Sequence, residues 1–244
     1  MNILGHSITP DWPAPPNVRA LQTTRVGGGS LAPYDSFNLG LHVGDDPVRV
    51  NRNRQLLAQL MPSEPVWLEQ VHGTAVANAD MASCLPQADA CIARQRGSVC
   101  VVMTADCLPV LLCDKQGSVV GAAHAGWKGL SAGVIEATVQ TMDVLAQELM
   151  AWLGPAISQQ AFEVGDEVRA EFVDADPQAA AAFVPGTEGK WFADIYALAR
   201  LRLTALGITE IYGGSDCTYG ERDRFFSYRR DGVTGRMGTF IWIT

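Results

Sequence analysis

Two apolar runs on either side of a turn sequence place the strongest constraint on how this chain folds. Residues 108–113 and 118–123 are mostly apolar, and the tetrapeptide Asp-Lys-Gln-Gly at 114–117 separates them. An apolar run, a turn and a second apolar run in this order are typical of a β-hairpin. The centre of the chain is therefore predicted to be a pair of antiparallel strands with a short connection.

The predicted hairpin brings a thiol close to an imidazole. If residues 115–116 form the loop, Cys107 pairs directly with His124, and their Cβ atoms lie about 5 Å apart. If Gly117 adds a one-residue bulge, His124 faces Leu108 and Cys107 becomes its diagonal neighbour. In either register the two side chains are close, which predicts a metal site or a pair of nucleophile and base.

A second histidine follows another apolar segment and completes a possible set of metal ligands. His72 comes directly after residues 65–71, a predicted strand, and strand ends commonly present functional side chains. His72, Cys107 and His124 make a His₂Cys set, which leaves the fourth position of a zinc ion open to water or substrate. Each of the three could instead have a purely structural role, as a core cysteine or a hydrogen-bonded histidine.

Copper is the alternative metal for this donor set. A His₂Cys copper site takes a distant axial methionine, and Met103 is the nearby candidate. The chain holds only four histidines, two of them outside this set. A multicopper cluster built from histidines is therefore not available in this chain, whereas zinc and a single copper ion both stay open for the His₂Cys set.

Length and composition indicate a globular protein. The 244 residues, 48% of them hydrophobic, can bury a full core as one domain over residues 1–244 or as two closely packed halves. No run of about 18 apolar residues is present, so no membrane span is predicted. The first ten residues lack the pattern of a secretory signal, and the six cysteines are too sparse for a disulfide scaffold. We therefore predict a cytoplasmic protein with free thiols.

The charge pattern argues against nucleic acid as a partner. The net charge is −8, and the 18 basic residues are scattered except for two short clusters at 222–224 and 229–230. Binding to a phosphate backbone needs a broad basic surface. A small anionic substrate needs only one or two local arginines and stays compatible with this sequence.

Strand and helix patterns alternate along the chain and predict an α/β fold. Strands are predicted at 18–25, 65–71, 98–103, 151–157, 208–213 and 237–244, in addition to the hairpin. Helices are predicted after the Asp-Asp-Pro at 45–47, at 129–148, at 165–172 and at 192–206, the last ended by Gly207. Because the hairpin is antiparallel, we expect a single domain with a mixed β-sheet flanked by helices.

Three further residues are candidates for the chemistry, each with a structural alternative. Asp106, beside Cys107, could orient a ligand or act as a general base, or it could cap a turn. Arg25, in the glycine-rich loop 24–30, could hold a phosphate, although such loops are more often plain turns. Arg229 lies in an aromatic and basic segment, 225–232, that could stack a base and bind phosphate or be a surface turn.

Eight segments of the chain carry a family resemblance that runs almost from end to end. They are residues 24–30, 38–46, 70–73, 104–109, 124–129, 153–157, 162–165 and 225–236. With them the chain closely resembles a bacterial family first described as multicopper polyphenol oxidases or laccases. Its members are now regarded as purine nucleoside phosphorylases and peptidoglycan-editing factors. The one noted departure is at Lys128, where arginine is common. Lysine keeps the positive charge but lacks the planar guanidinium, which can bind an anion through two nitrogens.

The resemblance implies a fold, a metal and a set of substrates. The implied fold is a single α/β domain that resembles a toxin deamidase of the cysteine-hydrolase type. The implied cofactor is a zinc ion on His72, Cys107 and His124. The implied reactions are phosphorolysis of adenosine, inosine and methylthioadenosine, together with deamination of adenosine.

Residue roles and rival functions complete the sequence-based hypothesis. Asp106 is predicted to move a proton, and Arg25, Asn38 and Arg229 are predicted to bind the nucleoside and phosphate. One rival is a cysteine hydrolase or amidase that uses Cys107 as nucleophile. The others are a copper-dependent polyphenol oxidase and a cell-wall editing factor that acts on a muramyl-peptide precursor.

Overall fold

Strands and helices interleave along the chain in the computed structural model, which describes residues 4–81 and 85–244. The strands are β1 (Val18–Gln22), β2 (Val76–Asn78), β3 (Ala90–Ala93), β4 (Val99–Thr104), β5 (Leu108–Asp114), β6 (Val120–Ala125), β7 (Leu149–Leu153), β8 (Glu163–Gly165), β9 (Phe183–Pro185), β10 (Lys190–Ala193), β11 (Glu210–Gly213) and β12 (Met237–Ile243). The α-helices are α1 (Pro47–Ala58), α2 (Trp127–Ala132), α3 (Val134–Met142), α4 (Asp166–Ala175), α5 (Ile195–Ala205) and α6 (Tyr228–Asp231).

The largest sheet is mixed, as the sequence predicts. Its six strands lie in the order β11-β7-β5-β6-β3-β2, with β11 parallel to β7, β2 parallel to β3 and the remaining pairs antiparallel. A second, antiparallel sheet has the order β1-β12-β4, and a small third sheet has the order β8-β10-β9. The described residues therefore form an α/β fold.

The two faces of the large sheet have different partners, and β5 shows why. Its residues are apolar on both sides, so the strand is buried on both faces. Leu108, Val110 and Leu112 pack with helices α3 and α5, whereas Leu111 and Cys113 pack with strands β4 and β12 of the second sheet. Helices thus cover one face of the large sheet, and the second sheet covers the other.

Helix α1 closes the outer side of the second sheet. Leu57 of α1 packs against Phe240 and Val101, whose side chains face away from the large sheet. The helix begins where predicted, because the Asp46 carboxylate accepts a hydrogen bond from the backbone N–H of Val48 and caps the first turn. The layers therefore run helix, sheet, sheet, helices.

The central hairpin forms, but both predicted registers are wrong. Pro109 pairs with His124, and Leu108 pairs with Ala125. The shift arises because the connection has four residues, 115–118, and the Asp114 carboxylate accepts hydrogen bonds from the backbone N–H groups of Ser118 and Val119. Continued to the strand end, this register puts residue 107 opposite residue 126 and leaves His124 as its diagonal neighbour.

Three other predicted elements differ in extent. The helix predicted at 129–148 is broken at Gly133, which has φ +97, into α2 and α3, and it ends at Met142. Residues 65–71 form only isolated bridges, Val66 to Cys100 and Glu69 to Gln87, instead of a strand. The helix expected from residue 192 begins at Ile195, after strand β10.

Two further sequence predictions concern the cysteines and the possibility of a membrane-spanning helix. The five cysteines at described positions (91, 100, 107, 113 and 217) are free thiols, and Cys84 lies outside the described residues. Among the described helices, none combines the length and apolar character that a membrane crossing requires.

Candidate metal centre

The fold brings His72, Cys107 and His124 together, as predicted from the sequence. Their possible ligand atoms all lie within 4.8 Å of one another. The Cys107 Sγ and His72 Nε2 atoms are 3.8 Å apart, and the two imidazole rings meet edge to face with centroids 4.8 Å apart. This arrangement, called the His₂Cys cluster below, could hold one metal ion.

His124 is oriented by an aspartate that the sequence analysis missed. Ala90 of β3 pairs with Ala123 of β6, so Asp89, just before β3, lies beside His124. The Asp89 Oδ1 atom is 2.8 Å from His124 Nδ1, and the His124 backbone N–H donates to the Asp89 carbonyl at 2.7 Å. Because Asp89 engages Nδ1, the Nε2 atom of His124 is left for a metal or a proton.

The same carboxylate also shapes the loop that carries His72. Asp89 is fully buried, and its oxygens accept hydrogen bonds from the backbone N–H groups of Val71, His72 and Gly73 at 2.7–3.1 Å. These bonds hold His72 in the left-handed region, at φ +61. Burial raises the pKa of Asp89, but the hydrogen bonds from His124 and the loop outweigh it, so the net pKa lies below its ordinary value.

The mutual attraction of Cys107 and His124 favours a thiolate and an imidazolium. Burial raises the pKa of Cys107, but the charge of His124 and hydrogen bonds from both histidines lower it overall. Burial likewise lowers the pKa of His124, and the attraction of Cys107 and Asp89 raises it overall. A thiolate is the form of cysteine that binds metals and attacks electrophiles, so the cluster is prepared for either chemistry.

Two cavities meet at the His₂Cys cluster. The Phe162 cavity has a volume of about 370 Å³ and includes Trp127, Lys128, Ile157, Phe162 and Arg229 in its wall. The Arg236 cavity has a volume of about 450 Å³ and includes His42, Gln70, Thr104, His124 and Arg236. His72, Ala105, Cys107 and Tyr228 line both cavities, so the two cavities adjoin at the cluster.

Asp106 lies in the Phe162 cavity with its carboxylate held at both oxygens. Its Oδ1 accepts a hydrogen bond from the Thr218 hydroxyl, and its Oδ2 accepts one from the Arg229 backbone N–H, both at 2.6 Å. Asp106 has φ +92, a backbone conformation that residues other than glycine rarely adopt. Its bonds thus fix the segment that carries Arg229 beside the cluster.

The remaining predicted site residues have different surroundings. Arg229 lines the Phe162 cavity, where its guanidinium lies 5.6 Å from the Phe162 ring centroid and donates to the Glu163 carbonyl. Arg25 lines a separate cavity of about 730 Å³ and pairs with Asp35 at 3.2 Å. Asn38 is fully buried, and its amide bonds with Asp45. The structure thus brings Arg229 to the cluster and places Arg25 and Asn38 elsewhere.

Met103, the candidate axial copper ligand, lies on the wall of the Arg236 cavity. Its side chain belongs to the apolar cluster on the outer face of β4, with Leu57 and Phe240. Its sulfur accepts a hydrogen bond from Arg54 Nη2 at 4.0 Å. The Met103 thioether thus contacts Arg54 on the face of β4 that turns away from the large sheet.

The fold and the site together define an α/β protein with a candidate metal centre at the end of a two-sheet sandwich. The chain belongs to the multi-copper polyphenol oxidoreductase laccase family, whose model matches residues 19–244. This confirms the resemblance stated from the sequence. The family name refers to copper, whereas the residues assembled here are one thiol and two imidazoles.

Relatives from bacteria are named as purine nucleoside phosphorylases. One from Pseudomonas aeruginosa is 54% identical over 237 residues, covering 97% of this chain and 98% of the relative. YfiH of Escherichia coli K12 is 54% identical over 241 residues with the same coverage.

Solved structures show the same fold. Protein NMB0706 from Neisseria meningitidis has a TM-score of 0.95 and 52% identity, covering 98% of this chain and 99% of that one. YlmD from Geobacillus stearothermophilus has a TM-score of 0.87 and 32% identity, with coverage of 93% and 92%. The likeness to a toxin deamidase stays a prediction.

Proposed function

We propose that this protein is a zinc-dependent purine nucleoside phosphorylase that acts on adenosine, inosine and methylthioadenosine, and that it also deaminates adenosine. The observation that carries the proposal is the His₂Cys cluster, with three possible ligand atoms within 4.8 Å, in the wall of two cavities. The names of the relatives supply the substrate class.

The chemistry of the donor set fits zinc. One thiolate and two imidazoles are a known ligand set of catalytic zinc, which keeps a fourth position for water or substrate. Asp89 on His124 Nδ1 is the kind of carboxylate partner that metal-bound histidines usually have. When bound, zinc acts as a Lewis acid that polarises an oxygen ligand and lowers the pKa of a water toward 7.

The Phe162 cavity suits a purine nucleoside. Trp127, Ile157 and Phe162 offer apolar and aromatic surface for the base. Lys128 and Arg229 add donors for polar groups of the nucleoside. His72 and Cys107 of the His₂Cys cluster also line this cavity, so a nucleoside bound there would lie against them.

Asp106 is the residue that moves a proton in this proposal. Hydrogen bonds from the Thr218 hydroxyl and from the Arg229 backbone N–H hold its carboxyl group in one orientation. In deamination it accepts the proton of the attacking water at Oδ2 and returns it to the leaving amine. Asp106 and Cys107 line the same cavity, which places the carboxylate on the side where the nucleoside would bind.

Metal analysis together with an activity assay tests the proposal. We expect near-stoichiometric zinc and inosine phosphorolysis in the wild type, and loss of both in Cys107→Ala. Cys217→Ala is the matched control, because this thiol bonds with Ser158 away from the cluster, and it should keep both. Metal-free protein with full activity would overturn the zinc mechanism, and stoichiometric copper would favour the oxidase function.

A cysteine hydrolase or amidase is a second candidate, and one observation favours it. Asp89, His124 and Cys107 follow one another in space as acid, base and nucleophile. In that reaction the Cys107 thiolate would attack an amide carbonyl, for example in a muramyl-peptide precursor. His124 would protonate the leaving amine, and water would then release the acyl group. Such activity would survive a chelator, whereas zinc-dependent phosphorolysis would not.

A further inference from the structure

The Arg236 cavity has no assigned ligand, although it shares a wall with the Phe162 cavity at the His₂Cys cluster. Phosphorolysis joins two substrates, so it needs a second pocket next to the one that holds the nucleoside. Four residues, His72, Ala105, Cys107 and Tyr228, line both cavities. The position of the Arg236 cavity is therefore suitable for a co-substrate.

Apart from the Cys107 thiolate and the His124 imidazolium of the cluster, the charged group of this cavity is the guanidinium of Arg236. Arg236 donates through Nη1 to the Thr234 and Gly235 carbonyls and forms no ion pair with any residue in 4–81 or 85–244. Burial outweighs the attraction of nearby acidic groups and lowers the pKa of Arg236, as expected for a guanidinium without a paired carboxylate. His42, at the exposed mouth, adds a second possible donor.

A buried hydroxyl in the same wall lacks a partner. Thr104 is 1% exposed, and its Oγ1 atom makes no hydrogen bond with any described residue. Thr104 ends β4 on the face that turns toward the large sheet, whereas the Gln70 amide next to it is fully engaged with the Met103 backbone. Buried polar groups are nearly always bonded, so an unpaired one in a cavity wall indicates a ligand.

The rival cavity around Arg25 is less suited to an anion. Arg25, Arg222 and Arg230 line it, but the carboxylates of Asp35, Asp223 and Asp231 do so too. Two of these acids already pair with arginines, Asp35 with Arg25 and Asp231 with Arg230. By contrast, no carboxylate belongs to the described lining of the Arg236 cavity.

We propose that the Arg236 cavity binds inorganic phosphate, with Arg236 and the Thr104 hydroxyl as direct ligands and His42 at the entrance. The inference rests on the proposed phosphorylase function and replaces Arg25 as the phosphate ligand. A phosphate oxygen forms a bond to the ribose C1′ while the C1′–N9 bond breaks and its electron pair leaves with the purine. The proton of the phosphate ends on the purine, so the products are free base and ribose 1-phosphate.

Two variants of the zinc-loaded enzyme test this pocket. Arg236→Gln keeps most of the side-chain length but loses the charge and the fork, and Thr104→Val keeps the shape but loses the hydroxyl. We expect the KM for phosphate to rise at least about tenfold in Arg236→Gln, and by a smaller factor in Thr104→Val. The KM for inosine and the rate of adenosine deamination, which uses no phosphate, should stay within about twofold and show that the variants fold.

Arg222→Gln is the matched control, because it removes an arginine from the Arg25 cavity and should leave the KM for phosphate unchanged. Calorimetric titration of inorganic phosphate into each protein separates this inference from the proposed function. Wild-type phosphorolysis with the same phosphate affinity in all variants would overturn the pocket and leave the function in place. Arg236-dependent phosphate binding without phosphorolysis would support the pocket and overturn the function.

Discussion

At the scale of single residues, the His₂Cys cluster depends on a carboxylate that belongs to none of its ligands. The sequence predicts the three ligands because two lie at the open end of one hairpin and the third follows an apolar segment. The role of Asp89 could not be predicted in this way, because an aspartate before a strand is common. Only the pairing of β3 with β6 brings Asp89 next to His124. The ion pair of Arg25 with Asp35 and the hydrogen bond of Asn38 with Asp45 join residues that are near each other in the chain.

Replacing Asp89 tests this dependence. In Asp89→Asn we expect zinc affinity to fall about 10- to 100-fold, because the amide no longer fixes the tautomer of His124 or raises its basicity. Competition with a chromophoric chelator measures the change. Asp80→Asn is the control, since Asp80 also accepts backbone hydrogen bonds, from Arg94 and Gln95, away from the cluster. Equal zinc affinity in the two variants would contradict the role given to Asp89.

Asp106 should affect turnover and not the metal. In Asp106→Asn the group that accepts the proton is lost, so we expect kcat for both reactions to drop by about 100-fold or more while zinc stays bound. Steady-state kinetics and elemental analysis of the same samples check this. Full turnover on either substrate by Asp106→Ala would show that the proposed proton transfer is wrong for that reaction.

At the scale of elements, the register of β5 against β6 determines where Cys107 and His124 lie relative to each other. Hydrophobic periodicity does not reveal that register. The hairpin and its apolar faces follow from sequence pattern, but the register depends on how Asp114 caps a four-residue loop. Likewise, Gly133 breaks the predicted long helix because its backbone is left-handed, which no apolar spacing indicates. Local capping, and not hydrophobic pattern, decides these boundaries.

A glycine between β6 and α2 limits the room around the thiol. A Cβ at Gly126 would lie 2.9 Å from His72 Cδ2 and 3.0 Å from Cys107 Sγ, although the backbone, at φ −63, accepts alanine. Gly126→Ala should therefore displace the ligands and weaken zinc binding severalfold while the unfolding free energy changes little. Gly29→Ala, with no atom within 4 Å of its new Cβ, is the control for zinc titration. Unchanged zinc affinity in Gly126→Ala would mean that His72 and Cys107 can move aside for the added methyl group without losing the metal.

At the scale of the whole molecule, the ligands tie together segments that are distant in the chain. The mixed sheet could be predicted from the sequence, because an antiparallel hairpin lies among alternating strands and helices. The second sheet was not predicted, because β12 inserts between β1 and β4 and such pairing leaves no local pattern. The Arg236 cavity depends on that insertion, since Arg236 directly precedes β12 and Thr104 ends β4.

Metal removal should therefore weaken the whole fold. Zinc that binds the folded state alone adds about 4 kcal/mol to the unfolding free energy at a free concentration 1,000 times its Kd. We expect chelation to lower the unfolding temperature of the wild type and added zinc to restore it, as followed by calorimetry. In Cys107→Ala neither treatment should shift the transition, and an equal shift there would place the metal elsewhere.

The wall that the two cavities share also has an evolutionary consequence. In the proposed function, deamination would use the Phe162 cavity alone and phosphorolysis would need both cavities, so the two activities would overlap in only part of their machinery. A substitution around Trp127 or Phe162 changes both activities at once, but one around Thr104 or Arg236 changes phosphorolysis alone. Descendants of this enzyme can thus lose or retune one reaction while selection preserves the other.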